Sequence, residues 1–150
     1  MLTRSTLASA SILAALALGA CSEKKGDNKA PGTIFESPAL AQGPSIRNVS
    51  VEEASVLLQS DAPLTVIDVR TAQEFAQGHI EGAINLDALS EDFEKQLAKL
   101  NKDKPYLVHC RSGRRSAAAL ETLRKAKFSR VAHMDEGLVA WTKAGLPLAQ

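Results

Sequence analysis

Five short apolar runs separate the polar and amphipathic stretches that fill the chain after residue 45. They are almost continuously apolar rather than alternating, which is typical of strands buried on both faces of a parallel sheet. Segments with apolar residues at helical spacing lie between them. The pattern predicts an α/β fold with a mainly parallel central sheet of about five strands and helices on both faces. The predicted strands are residues 46–49, 64–69, 82–86, 106–110 and 130–134.

Polar residues before the amphipathic segments predict where the helices begin. Ser50 with Glu53, and Thr71 with Glu74, have the spacing of a capping box, in which each side chain binds the other residue's backbone amide. Ser90 is expected to cap the third helix.

The first 45 residues predict export and lipid anchoring. Residues 1–20 combine one early arginine with a short apolar stretch, which is typical of a cleaved signal peptide. The sequence Leu-Gly-Ala-Cys that ends at Cys21 resembles the lipobox of bacterial lipoproteins, which implies a lipidated Cys21 and a membrane anchor. An ordinary cleaved signal is the alternative. Residues 21–45 are rich in Gly, Pro, Ser and Lys and predict a flexible tether, followed by one globular domain over residues 46–150.

Charge and cysteine content narrow the possible functions. The formal net charge is +1, so the chain has no overall basic field and nucleic acid is not expected as a partner. The chain has two cysteines, and lipidation of Cys21 would leave Cys110 without a cysteine to pair with. Because oxidising compartments favour disulfides, an unpaired thiol there indicates that the protein uses it for a specific purpose. The expected location is the cell envelope, facing the periplasm, and Ser22 favours the outer membrane.

The segment VHCRSGRRSAAAL places Cys110 where a strand turns directly into a helix that is predicted to start at residue 112 or 113. Loop amides and the positive end of the helix dipole favour an anion there, and Gly113 permits a tight turn. Three arginines add positive charge that is expected to lower the pKa of Cys110. They are Arg111, Arg114 and Arg115. The alternative is a cysteine buried as a small apolar residue beside solvated arginines.

Three groups of residues, in this order, resemble the rhodanese family. The groups are DVR at 68–70 with EF at 74–75, GHI at 78–80 and GAIN at 82–85; then CRSGRRS at 110–116; and finally Gly137, Trp141, Gly145 and Pro147. The resemblance implies a rhodanese-like domain that acts as a sulfurtransferase. The Cys110 thiolate would take sulfur from thiosulfate or a similar small anionic donor, form a persulfide, and pass the sulfur to cyanide or a thiol.

The resemblance also implies a role for each loop residue and for a supporting pair. The substrate-binding residues would be Arg111, Ser112, Gly113, Arg114, Arg115 and Ser116, with Arg114 or Arg115 binding the donor's sulfonate. Asp68 and Arg70, at the end of a neighbouring strand, are expected to form an ion pair that supports the loop, with Glu74 as a candidate third member; direct contact with the substrate is the alternative. No metal or organic cofactor is expected, because the reaction needs none.

The three histidines favour packing roles over chemistry. His79 lies in a turn where the family's histidine is structural, and the side chain of His109 is expected on the opposite face of its strand from that of Cys110. His133 has no Cys or His partner at metal-ligand spacing, so a zinc site is not expected.

Three other functions compete with sulfur transfer. Cysteine-dependent phosphatases place an arginine after Cys and five further residues, but this chain has Ser116 at that position. A noncatalytic rhodanese-type module could bind a partner or sense anions or redox state in the envelope. Redox exchange through a mixed disulfide would need a thiol from another protein.

Overall fold

The computed structural model describes residues 45–61 and 64–150, in which strands and helices alternate throughout. The predicted signal peptide, Cys21 and all but the last residue of the predicted tether lie outside the described residues. No helix within these two ranges is long and apolar enough to cross a membrane. In chain order the elements are β1 (Ser45–Val49), α1 (Val51–Gln59), β2 (Thr65–Asp68), α2 (Ala72–Ala76), β3 (Ile84–Asn85), α3 (Phe93–Leu97), β4 (Pro105–His109), α4 (Arg114–Lys125), β5 (Arg130–Met134) and α5 (Gly137–Lys143).

The five strands form one sheet in the order β1-β5-β4-β2-β3, and every neighbouring pair is parallel. The predicted fold class is therefore confirmed. The central strand β4 is buried along its whole length, as expected for a strand covered on both faces. Because all strands run the same way, the carboxyl ends of β2, β4 and β5 meet at one edge, where parallel sheets commonly carry their functional residues.

Side chains that alternate along β4 divide the core into two layers. Val108 belongs to a layer covered by α3 and α4, whereas Leu107 belongs to a layer covered by α1 and α5. Cys110 continues the periodicity of Val108 and packs in the α3 and α4 layer. Helix α4 presents its buried residues at helical spacing toward this layer. They are Ser116, Ala119, Leu120 and Leu123.

Two of the three predicted helix caps are correct. Ser50 with Glu53 at α1 and Thr71 with Glu74 at α2 both form complete capping boxes. The expected cap at Ser90 is wrong. Its hydroxyl accepts a hydrogen bond from the amide of Asp92 only two residues ahead, which makes a local turn, so α3 begins later without a side-chain cap.

Candidate functional site

Cys110 lies at the end of β4, and the chain turns there into the first turn of α4. Gly113 is the residue before the helix, and its φ of +84° lies in the left-handed region that favours glycine. The turn therefore needs only three residues between the cysteine and the helix. Cys110 is buried, with 1% of its surface exposed.

Hydrogen-bond donors converge on the Cys110 sulfur. The Ser116 hydroxyl oxygen lies 3.4 Å from Sγ, and the backbone amides of Ser112, Arg115 and Ser116 also stabilise the thiolate. Burial disfavours the thiolate, but these hydrogen bonds outweigh it, so the pKa of Cys110 lies below its ordinary value. A loop with this geometry stabilises a thiolate, and the same donors suit an anionic group bonded to it.

Contacts with α5 hold the loop carbonyls away from the sulfur. The amides of Leu138 and Val139 donate to the carbonyls of Cys110 and Arg111, at 2.8 and 3.0 Å. This close approach requires Gly137, since a Cβ there would lie 2.7 Å from the Cys110 carbonyl oxygen. Two of the loop's carbonyls are therefore bound by the first turn of α5, which fixes the peptide groups that follow Cys110 and Arg111.

The arginines of the loop have different surroundings. Arg115 is half-buried and forms a bidentate ion pair with Glu74, with N–O distances of 2.6 and 2.7 Å. The expectation that Glu74 joins Asp68 and Arg70 is therefore wrong, because its carboxylate faces α4. Hydrogen bonds from Arg115 and Thr71 lower the pKa of Glu74 to about 2, although burial acts in the opposite direction. Arg111 and Arg114 are exposed and form no ion pair within the described ranges, so they are the arginines available to an incoming anion.

Asp68 and Arg70 form the expected ion pair at the end of β2, and it is buried. Arg70 Nε donates to both carboxylate oxygens of Asp68, and an Arg70 terminal nitrogen lies 2.6 Å from Oδ2. The guanidinium also donates to the Gly78 carbonyl at 2.7 Å, which ties the end of β2 to the turn after α2. Asp68 is 0% exposed and Arg70 is 5% exposed. Removing one of the two charges would therefore destabilise the fold, because the other would remain buried and unpaired.

Two histidines lie close to the cysteine loop. His109 is buried and its Nδ1 donates to the Cys110 carbonyl at 3.2 Å, and burial lowers its pKa. His133 Nε2 lies 2.8 Å from the Ser116 hydroxyl, and its Nδ1 faces Asn48 on β1. Sequence reasoning missed the positions of His133 and Asn48, because only the pairing of β1 with β5 brings these distant residues together.

A shallow pocket of about 270 Å³ opens beside the loop, lined by Arg70, Glu74, Gln77, Arg111 and residues of α5. Its walls carry both charge signs and little apolar surface. Within the described part of the chain, no group of three or more His, Cys, Asp or Glu residues is placed to hold a metal ion.

Comparisons with known proteins identify relatives of this chain. A family model described as a rhodanese-like domain matches residues 50–144. A sulfurtransferase of Allochromatium vinosum is 30% identical over 103 residues, covering 69% of this chain and 94% of that protein. The crystal structure of a rhodanese-related protein from Thermoplasma volcanium aligns with a TM-score of 0.61 at 28% identity, covering 69% of this chain and 97% of that one. Longer relatives from Bacillus subtilis and Mycobacterium tuberculosis are 33% and 36% identical, and the chain spans only 52% and 29% of their lengths.

Alanine at Gly113 is expected to destabilise the protein more than alanine at Gly145. Both glycines have a left-handed φ, +84° and +73°, which costs an alanine about 1–2 kcal/mol. At Gly113 the new Cβ would also lie 1.7 Å from the Asp135 carbonyl oxygen, whereas at Gly145 it meets no atom within 4 Å. Denaturant titration should show a loss above about 3 kcal/mol for Gly113→Ala. Equal losses in the two variants would contradict this view of the loop.

Asp68→Ala is expected to lower the free energy of unfolding by about 3–5 kcal/mol, because it leaves the buried Arg70 guanidinium without its counter-charge. The double variant Asp68→Ala/Arg70→Met should recover a large part of that loss, since no uncompensated charge remains. A double-mutant cycle by denaturant titration measures the coupling. Strictly additive losses would show that the pair does not act as a unit.

Proposed function

The chain belongs to the rhodanese-like domain family, and from that premise we propose that it is a sulfurtransferase working through a persulfide on Cys110. The donor is thiosulfate or a similar small anionic sulfur compound, and the acceptor is cyanide or a thiol. The observation that carries the proposal is a buried cysteine at a strand-to-helix turn with the Ser116 hydroxyl 3.4 Å from its sulfur, beside loop amides that lower the pKa of the thiol.

The proposed reaction has two half-reactions that share one enzyme-bound intermediate. In the first, the Cys110 thiolate attacks the outer sulfur of thiosulfate, a new S–S bond forms, and sulfite leaves with the electron pair of the broken bond. In the second, cyanide or a thiolate attacks the outer sulfur of the persulfide and removes it. The product is thiocyanate or the acceptor's own persulfide. The Cys110 thiolate is regenerated, and no metal or organic cofactor takes part.

The surroundings of Cys110 fit each charge that this reaction develops. The amides of Ser112, Arg115 and Ser116 that stabilise the thiolate would also stabilise the terminal sulfur of a persulfide. Arg111 and Arg114 are exposed, so both guanidiniums can approach an incoming anion. Since Arg115 is held by Glu74, we assign the sulfonate to Arg114 rather than to Arg115. The low exposure of Cys110 favours a small donor.

The same surroundings argue against a phosphatase. In the phosphatase loop an arginine closes the ring around a phosphate, whereas the position in question here carries Ser116, which is buried with its hydroxyl against the sulfur. A hydroxyl supplies one hydrogen bond and no charge, while a guanidinium supplies a planar fork of donors.

A noncatalytic rhodanese-type binding or sensing module is the second candidate. Its support is the family itself, which is compatible with binding roles, and the mixed-charge pocket beside Arg111. Binding a partner does not require a stabilised thiolate, whereas a sulfur nucleophile does, and for that reason we favour catalysis. Retention of the cellular role by a Cys110→Ser variant would favour binding instead.

We also propose that the domain is held at the cell envelope by a lipid on Cys21, facing the periplasm. The support for this is the sequence alone: the apolar stretch within residues 1–20 and the Leu-Gly-Ala-Cys motif. Acyl chains contribute about 0.8 kcal/mol per buried methylene, so several chains give stable attachment.

Intact mass spectrometry tests the sulfur transfer directly. The Cys21→Ser chain, in which Cys110 is the one remaining cysteine, should gain the mass of one sulfur atom with thiosulfate and lose it to cyanide as thiocyanate. The matched Cys21→Ser/Cys110→Ser chain should gain nothing. If no adduct forms although Cys110 can be alkylated, thiosulfate is not the donor, and persulfide donors are tested next. Failure with those as well would reject the sulfurtransferase.

Fractionation of expressing bacterial cells tests the anchor. The unaltered chain should be found in the membrane fraction and should incorporate labelled fatty acid, whereas Cys21→Ser should do neither. Separation of inner and outer membranes would then test the preference indicated by Ser22. Equal membrane association of both chains, without label, would contradict lipidation at Cys21.

A further inference from the structure

A chain of polar side chains runs from the buried Cys110 sulfur to the protein surface. The Ser116 hydroxyl oxygen lies 3.4 Å from Cys110 Sγ and 2.8 Å from His133 Nε2. His133 Nδ1 lies 3.1 Å from Asn48 Oδ1, and Asn48 Nδ2 lies 3.0 Å from an Asp135 carboxylate oxygen. Ser116 and His133 are buried, whereas Asn48 and Asp135 are exposed. The sulfur-transfer steps above leave His133, Asn48 and Asp135 without a role.

The outer end of this chain determines which ring nitrogen of His133 carries a proton. A carboxylate only accepts hydrogen bonds, so the Asn48 side chain turns its NH₂ group to Asp135 and its carbonyl oxygen to His133. That oxygen also only accepts, and His133 Nδ1 must therefore donate to it. In the neutral ring Nε2 is then unprotonated, and it faces Ser116 as an acceptor.

The inner end of the chain is a single hydroxyl proton with three possible acceptors. Ser116 lies within hydrogen-bond distance of His133 Nε2, of the Gly113 carbonyl at 2.9 Å, and of Cys110 Sγ. Because Nε2 is unprotonated, the Ser116 hydroxyl donates its proton to the short hydrogen bond with His133. While Cys110 is a thiol, a lone pair of Ser116 Oγ is free to accept its S–H, and the hydroxyl donates to the sulfur once the thiolate has formed. The three groups therefore form a connected path.

We propose that His133 is a positioning residue of the sulfur-transfer site, which takes up the Cys110 thiol proton through the Ser116 hydroxyl when the nucleophile forms. The thiol proton moves to Ser116 Oγ as the Ser116 proton moves to His133 Nε2. The products are a thiolate, an unchanged serine and an imidazolium, so charge and protons balance. Ser116 then donates to the thiolate while His133 Nε2–H donates to Ser116. The imidazolium later loses its proton to solvent water.

The charges around His133 fit this role. Burial lowers the pKa of His133, which keeps the ring neutral and able to accept a proton at neutral pH. The Asp135 carboxylate and the Gly113 carbonyl act in the opposite direction and favour the imidazolium, while the Arg124 guanidinium of α4 disfavours it. From β1 the ring faces only the neutral Asn48. The imidazolium is thus opposed by burial and Arg124, and a thiolate at Cys110 would add a stabilising charge.

The inference rests on the proposed function for the identity of the nucleophile, but its first test needs no sulfur transfer. In the Cys21→Ser chain, the rate at which iodoacetamide alkylates Cys110 is measured against pH, and it follows the thiolate fraction. His133→Gln keeps a side chain that hydrogen-bonds to Ser116 but accepts no proton. We expect about tenfold slower alkylation at mildly acidic pH, a shift of about one pH unit in the profile, with an unchanged rate at the alkaline plateau.

His79→Gln is the matched control, because His79 stacks on Phe75 with its ring centroid 3.8 Å away and takes no part in the chain to Cys110. Its profile should overlay that of the unaltered protein. A variant whose packing alone was disturbed would change at the plateau or in thermal stability, without the acidic shift. A His133→Gln profile that overlays the unaltered one at every pH would overturn the inference.

A second measurement covers the case in which His133→Gln fails to fold. Imidazole nitrogen NMR should find the neutral ring of His133 protonated at Nδ1, and the ring should titrate at higher pH with Cys110 present than in Cys110→Ser. This reciprocity follows because a thiolate and an imidazolium that stabilise each other have coupled titrations. A ring protonated at Nε2, or identical titrations in the two chains, would overturn the inference.

The two proposals fail in different ways. If thiosulfate and persulfide donors transfer no sulfur while the alkylation profile shifts as expected, the relay stands and the sulfurtransferase fails. If sulfur is transferred and His133→Gln leaves both the alkylation profile and the pH profile of transfer unchanged, the sulfurtransferase stands and the relay fails.

Discussion

The contact between the cysteine loop and the start of α5 is the constraint on which the rest of the site depends. The carbonyls of Cys110 and Arg111 are bound by the amides of Leu138 and Val139. Because a peptide plane turns its amide and carbonyl in opposite directions, anchoring these carbonyls at α5 helps to orient the loop so that its amides turn to the sulfur. The approach is too close for any side chain at Gly137. The reactive centre is therefore built by packing between two segments, and the cysteine motif alone would not hold it.

Electrostatics then divides the arginines near the site into two groups. Arg70 and Arg115 are each held by a carboxylate, Asp68 and Glu74, and these pairs fix the end of β2 and connect α2 to α4. Arg111 and Arg114 remain exposed and face solvent. A fixed inner pair of guanidiniums stabilises the shape of the loop, whereas an exposed pair can meet an anion with little loss of its existing contacts. Arg114, which belongs to this exposed pair, is therefore the residue that we propose binds the sulfonate.

The sequence predicted the features that depend on local spacing. The capping boxes at Ser50 and Thr71, the five strands and the position of Cys110 at a strand-to-helix turn follow from residues within a few positions of one another. The predicted cap at Ser90 is wrong because its hydroxyl accepts from the nearby Asp92 amide instead. Residue spacing alone does not show which of two nearby amides a serine will bind. The Glu74 to Arg115 pair joins residues 41 positions apart, and the contact of His133 with Asn48 spans 85. Such contacts depend on strand order and register, which no local pattern in the sequence determines.

In the proposed function, the Cys110 loop stabilises a sulfur anion and Cys110 then carries one sulfur atom. The most direct measurement is a crystal structure of the Cys21→Ser protein after treatment with thiosulfate. We expect density for one additional sulfur atom bonded to Cys110 Sγ, within hydrogen-bond distance of the amides of Ser112, Arg115 and Ser116. An unmodified Cys110 in crystals whose thiol still reacts with iodoacetamide, or a sulfur atom turned away from those amides, would contradict it.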